Sequence, residues 1–406
     1  MTSERAPAAD RLEERWIDPP GVGSAFGDDP RRAAVEAVEQ ALGAREVRPR
    51  DVVLLFSAGY EEPVAGFQLA QRAAAPARVA ACSSDGAFTA GRQVAQGCCA
   101  IHLSSAHLRL GLALAELGHD LAGASRRATE LARAEAQVEG GESPHAALVL
   151  LSDGLAGDQR EIVRGAYEVT GAAVPIVGGA AGDDLRISRT YQHAGRTTTN
   201  GVIALWLGSE EPLAVGVAHG WRPIGAPMLV TRAEGNVILE LDGRPARDAY
   251  LEARGEQASS DRPFAAFAMD HPLGIPNARG SYDVRHIMGD AGSGLAMFAY
   301  VPQNTVVQVM EASADDLLDG AESAARQARA QLAGEADALL AFSCAARKPL
   351  LGARAREEPR RIAMACGTHR LCGFFTYGEF GRITGTTGFH NASVAVLALP
   401  AAEPRP

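Results

Sequence analysis

Along this chain an apolar strand ending in serine, a helical stretch and a second apolar strand opening into small residues occur twice at identical spacing. The first copy is VVLLFSAG (residues 52–59) with RVAACSSDG (78–86); the second is ALVLLSDG (147–154) with VPIVGGAAGDD (174–184). Ser57 to Ser83 is 26 positions, and Ser152 to Gly178 is also 26. A looser third copy begins at ALLAFSCAAR (338–347) and returns as LCGFFTYGEF (371–380). Such self-similarity constrains the fold strongly, because each copy is one supersecondary unit that needs neighbours to bury its apolar face.

Strand, helix, strand units demand parallel pairing through a right-handed crossover. The alternating strands GVIALWLG (201–208) and ASVAVLAL (392–399) extend such sheets as hairpins. The predicted fold class is therefore α/β, with mixed sheets built from repeated β-α-β-β units and two sub-domains sharing a ligand cleft. Residues 1–27 read as a disordered or linker tail, 28–220 as a first α/β domain and 221–400 as a second. The helix after the tail starts at Asp28 and Asp29 before Pro30, and Pro and Gly within 208–227 mark the boundary. Beyond it the sequence predicts a hairpin over 228–243, a helix over 245–253, a Gly/Pro-rich loop region to about 294 and a helix over 314–332.

Composition removes several classes of function. Of 406 residues 22% are charged and 47% hydrophobic, a globular balance. No apolar run approaches the roughly 20 residues that cross a bilayer, and the N-terminus lacks the apolar core of a secretory signal, which predicts a cytoplasmic protein without a membrane partner. A net charge of −10 opposes a nucleic-acid surface. Six cysteines with no C-x-x-C spacing predict reduced thiols rather than a disulfide framework or zinc site.

Open α/β sheets bind ligands beyond the carboxyl ends of their strands, where all three small-residue loops fall. Ser83, Ser84, Gly178 and Gly179 there offer hydroxyls and backbone N–H groups. Near the C-terminus, FFTYGEFGRITGTTGFHNAS (374–393) adds a tyrosine, a carboxylate, a histidine and an asparagine among glycines. An amino acid would suit this set: Arg347 forks onto its carboxylate, Glu379 receives its ammonium, and Asn391 serves either. On this reading Glu379→Gln weakens binding by roughly 1.5–3 kcal/mol without unfolding the protein. Glu357 and Glu358 read as a helix N-terminal or exposed acidic pair.

Cys344 and Arg347 as C-x-x-R, Glu357 with Glu358, the YGEF run of Tyr377, Gly378 and Glu379, and His390 with Asn391 resemble the signature of the FIST family of sensory modules. The resemblance extends over roughly residues 30–400 through VVLLFS, ACSSDG, VPIVGGAAGDD and MLVTRAEGNVILELDGRPARDAY. It implies a non-enzymatic, stand-alone sensor of signal transduction that binds a small ligand, such as an amino acid, and needs no cofactor. The output would be a separately encoded signalling protein such as a histidine kinase. The same family includes haem-based nitric-oxide sensors, for which His219, His193 and His390 are candidate axial ligands, His219 preferred beside Trp221. A third reading is a Cys-dependent hydrolase or transferase with Cys344 as nucleophile, His390 as base and Glu379 or Asn391 orienting it.

Overall fold

The computed structural model describes residues 18–138, 141–254, 263–277, 280–382 and 388–401. The chain first runs through β1 (Val22–Phe26), helix Pro30–Leu42, β2 (Val52–Ala58), helix Val64–Ala73, β3 (Arg78–Ser84), β4 (Ala87–Thr89), β5 (Gln93–Val94) and β6 (Gly97–Leu103). The same order returns as β7 (Arg109–Glu116), helix Leu121–Gln137, β8 (His145–Ser152), helix Gln159–Thr170, β9 (Ile176–Ala180), β10 (Gln192–Ala194), β11 (Arg196–Thr198) and β12 (Gly201–Ser209). A third passage starts at β13 (Ala214–Ala218) and is interrupted by an inserted module. That module holds β14 (Arg222–Glu234), β15 (Val237–Leu241), β16 (Arg244–Pro245), helices Ala246–Ala253 and Phe264–Met269, β17 (Leu273–Pro276), β18 (Tyr282–Arg285), β19 (Ile287–Ala291), β20 (Gly294–Met297) and β21 (Val306–Glu311). The interrupted passage resumes with helix Ala314–Arg329, β22 (Ala336–Cys344), helix Glu357–Cys366, β23 (Leu371–Thr376), β24 (Glu379–Arg382), β25 (Phe389–His390) and β26 (Val394–Pro400).

Each passage contributes one parallel pair, β2 with β3, β8 with β9 and β22 with β23, and the first strand of each pair lies antiparallel to β6, β12 or β26. The strand that follows each pair leaves for another sheet: β4 joins β23, β10 joins β3 and β24 joins β9. The exchange closes a cycle, so none of the three six-stranded sheets is complete without another passage. Phe56, Phe342 and Phe374 meet at its centre, with ring centroids 4.7 Å apart for Phe56–Phe374 and 5.6 Å for Phe342–Phe374.

One packing device recurs with the cycle. Gly23 in β1, Gly111 in β7 and Gly216 in β13 lie so close to the following helix that a Cβ would stand 2.1, 1.8 and 1.9 Å from the carbonyl oxygens of Ala37, Ala132 and Ala324. Alanine-rich helix faces and a missing side chain let strand and helix backbones touch, which suits the chain's abundance of both residues.

The α/β class predicted from sequence holds, with two corrections. Residues 22–26 are not tail but β1, paired with β6, while 1–17 lie outside the described residues. The expected loop region before residue 294 carries β17, β18 and β19, short strands whose glycines and prolines hid their alternation. The module forms its own sheet, in the order β18-β17-β21-β14-β15-β20-β19, over a core of Val230, Leu241, Tyr250, Phe267 and Val309. It returns to the third passage at Trp221, whose indole N–H donates to the Ala392 carbonyl at 2.9 Å.

Candidate functional site

The strand-end loops do converge, chiefly on one another. Backbone N–H groups of Asp85 and Phe375 donate to the carbonyls of Phe375 and Gly86 at 3.1 and 2.8 Å. Tyr377 and Ala180 N–H donate to the carbonyls of Ala180 and Gly378 at 3.0 and 2.8 Å, and Gly182 N–H to Ser83 at 3.3 Å. Ser83 Oγ accepts from Tyr191 N–H at 2.9 Å, and Ser84 Oγ donates to the Ser57 carbonyl at 3.0 Å. Gly178 and Gly179 lie inside β9, where a Cβ would strike Leu150 O at 1.9 Å and Thr376 Cγ2 at 2.4 Å. These four residues build the junction rather than cradle a ligand, and Gly378, packed under Phe389, does the same.

Arg347 departs furthest from expectation. Its guanidinium is fully buried, with Nη2 2.6 Å from Glu358 Oε2 and further bonds to the carbonyls of His219 and Leu317, both at 2.7 Å. It therefore ties β13 and two helices together and has no fork left for a ligand carboxylate. Glu358, expected to be helix N-terminal or exposed, stands in the first turn of helix Glu357–Cys366 and is the buried counter-ion of Arg347. Glu379 is likewise consumed: Ser393 donates to Oε2 through N–H at 3.1 Å and Oγ at 2.8 Å, and Oε1 meets Thr376 Oγ1. Burial raises the Glu379 carboxyl to about 7, against those hydrogen bonds. The geometry accommodates the neutral acid, since Oε1–H can donate to Thr376 Oγ1, whose own hydroxyl hydrogen is donated to the Ser343 carbonyl 3.3 Å away. Cys344 touches Glu379, and burial, then that carboxyl, hold its thiol well above the ordinary range, the protonated form that makes a poor nucleophile.

Openings lie instead along the seam between the module and the third passage. A cleft of about 920 Å³ is walled by His219, Trp221, Tyr282, Asp283, Asp316, Asp319, His390 and Asn391. On the other side of Asn391 a cavity of about 30 Å³ is enclosed by Leu185, Ile187, Met269, His286, Phe298, Cys344 and Tyr377. Asn391 belongs to both walls, is 3% exposed, and its Oδ1 has no hydrogen-bond partner. Such an orphan is rare and costly in a folded protein. A depression of about 660 Å³ at the opposite strand ends is lined by Arg370, which pairs with Asp337, and by His102, whose Nε2 lies 2.9 Å from the buried Asp51.

Domain comparisons follow the same span of chain: the FIST N domain matches residues 51–244 and the FIST C domain 246–382. The chain belongs to the FIST family. FIST domains are sensory domains of signal transduction. This FIST protein is 29% identical over 234 residues to an uncharacterised protein of Mycobacterium bovis, covering 55% of this chain and 58% of the relative. It is 29% identical over 235 residues to one of Mycobacterium tuberculosis, covering 55% and 60%. A Methanocaldococcus jannaschii protein, also uncharacterised, is 31% identical over 121 residues, 27% of this chain and 24% of the relative. The chain thus spans less than two thirds of the relatives it matches. Among the described residues no helix is long and apolar enough to cross a membrane.

In this FIST protein the fold brings Cys344, Tyr377, His390 and Asn391 to the seam, and it holds Ser83, Ser84, Gly178, Gly179, Gly378, Arg347 and Glu379 within the packing. His390 Nε2 lies 2.9 Å from the Gly381 carbonyl. His193 sits in β10 with Nδ1 2.9 Å from Thr197 Oγ1 and forms no part of the seam walls. His219 is in the cleft wall; its Nδ1 accepts from Trp221 N–H at 2.9 Å, and burial, then the Arg347 charge, push it down to about 4. It is a neutral imidazole; of the three aspartates in the cleft wall Asp316 and Asp319 face arginines, which leaves Asp283 to oppose the propionates of a haem. Sequence reasoning missed His286, Asp283, Leu185 and Ile187, which stand outside the three copies and carry no periodic signal.

Proposed function

We propose that this protein is a small-molecule sensor whose ligand, an amine or amino acid, seats in the 920 Å³ cleft and bridges the inserted module to the third passage. Asn391 Oδ1 carries this reading: a buried acceptor without a partner, in the cleft wall, suits a donor that a ligand brings. Asp283, which accepts from Asn277 at 3.1 Å and pairs with no cation among the described residues, supplies the negative charge an ammonium needs. Asp316 and Asp319 already face Arg222 and Arg361, at 3.5 and 2.7 Å.

The carboxylate half of an amino acid finds no arginine in this wall among the described residues, now that Arg347 is committed elsewhere. Cations with an amine alone are therefore favoured over zwitterions. A ligand touching both sides stabilises one placement of the module, the differential interaction through which a sensor signals to a separate protein such as a histidine kinase.

Isothermal titration against amino acids and simple amines tests the reading. Asp283→Asn should weaken an amine by about tenfold or more, the worth of a charge-assisted hydrogen bond. Unchanged affinity for every ligand would remove Asp283, and haem binding with a histidine-dependent Soret band would replace the proposal altogether.

A further inference from the structure

The cavity behind Asn391 has a chemistry unlike that of the cleft. His286, at the turn between β18 and β19, is 2% exposed, and neither ring nitrogen has a hydrogen-bond partner. Trp221 and Phe298 stand edge-on to its ring, with centroids 6.2 and 6.4 Å away. Burial keeps it neutral, pushed down to about 4, so it presents one N–H donor and one acceptor. Asn391 Oδ1 is a second orphan in the same wall. The two orphaned ring nitrogens of His286, almost fully buried beside one small cavity, are a built site without its occupant.

The cover of this cavity is strained. Asp184, Leu185 and Ile187 have φ of 59°, 57° and 50°, the left-handed region, which a β-branched residue such as Ile187 hardly ever enters. Asp183 pins the loop there: its carboxylate accepts from the N–H groups of Ile187, Ser188 and Arg189 at 3.0, 2.7 and 2.9 Å, and from Tyr377 OH at 2.5 Å. Leu185 and Ile187 nonetheless stay 50% and 49% exposed, so closing the loop buries only half of each. Strain and half-exposed apolar side chains favour opening, and the Asp183 hydrogen bonds hold the cover shut.

We propose that this cavity is a second ligand site, distinct from the amine cleft, gated by the Asp184–Ile187 loop. Its ligand is a small, uncharged, mainly apolar molecule with one hydrogen-bonding group, held by His286. Leu185, Ile187, Met269 and Phe298 supply hydrocarbon, thioether and ring surface, and no ionised side chain in the wall would offset the desolvation of a charged ligand. At about 30 Å³ the closed space admits only a few atoms, so a larger ligand enters by displacing the loop.

The test uses phenol, indole and 1-butanol as probes of the full chain, followed by ligand-observed NMR. Saturable binding of at least one probe is expected. His286→Phe should reduce it tenfold or more, Ala346→Leu, at another residue of the cavity wall, should block it by filling the space, and Asp183→Ala, which removes the hydrogen bonds that pin the loop, should speed association several-fold. If none of the three probes saturates, or if both His286→Phe and Ala346→Leu bind like the parent, the site does not exist. Equal association rates for Asp183→Ala and the parent would overturn the gate.

Discussion

On the core side of the seam, Arg347 engages Glu358, His219 and Leu317, and Glu379 engages Thr376 and Ser393. On the module side His286 leaves both ring nitrogens without partners, and Arg285 leaves Nε so, while Asn391 between them leaves Oδ1. All these side chains are buried, so exposure does not separate them. What separates them is position as well as satisfaction: Glu358 Oε1 and Ser343 Oγ are orphans on the core side too, whereas Asn391 and His286 stand in the walls of openings that a ligand can reach.

The contrast breaks first at Arg347. Arg347→Met should cost about 3–5 kcal/mol in urea unfolding, because it strands the Glu358 carboxylate in the interior. Adding Glu358→Leu should recover much of that loss, since removing both partners costs far less than removing one.

Glu379 follows. Its folded carboxyl titrates near 7 against an ordinary 4.5, so the folded state holds the proton more tightly. The stability it contributes is complete below pH 4.5, declines as pH rises, and is gone above about 7, a swing of about 3 kcal/mol. Cys344, the titratable side chain in contact with it, stays protonated across that window. Glu379→Gln should flatten this part of the pH profile, as measured by thermal unfolding from pH 4 to 8.

The repeated glycines predict a smaller loss. Gly216→Ala places a Cβ against the Ala324 carbonyl and should cost about 1–3 kcal/mol by forcing strand and helix apart. Gly171→Ala, at a helix end with open space around it, tests strain without that contact. Smallest of all is the effect of His286→Phe on the unliganded protein, within about 1 kcal/mol of zero or stabilising, because replacing an orphan with an apolar ring removes an unmet need.

The order of these effects mirrors what the sequence could convey. The parallel pairs were legible in VVLLFS, ALVLLS and ALLAFS because buried strands are continuous apolar runs, and the helix at Pro30 was legible because Asp29 caps it. The strand exchange was not, since nothing local in Ala87–Thr89 says that its partner is β23, some 280 residues on. The candidate site was half legible. Asn391 and Tyr377 were found as polar residues among glycines, and the same signal pointed equally to Glu379, while Arg347 was read from its C-x-x-R spacing after a buried strand. Residue type shows what a side chain can bond, whereas its bonding within the fold depends on β13 and the helices that surround it. His286, a lone histidine in a short strand pair, gave no pattern to read.

The most direct measurement is a paired titration and unfolding of the parent protein and Asn391→Leu. The account predicts that an amine or amino acid binding the parent loses about tenfold or more in affinity for the variant, while the urea midpoint stays equal or rises. Equal affinity in both proteins, or a variant as unstable as Arg347→Met, would place Asn391 among the residues that hold the fold and contradict the account.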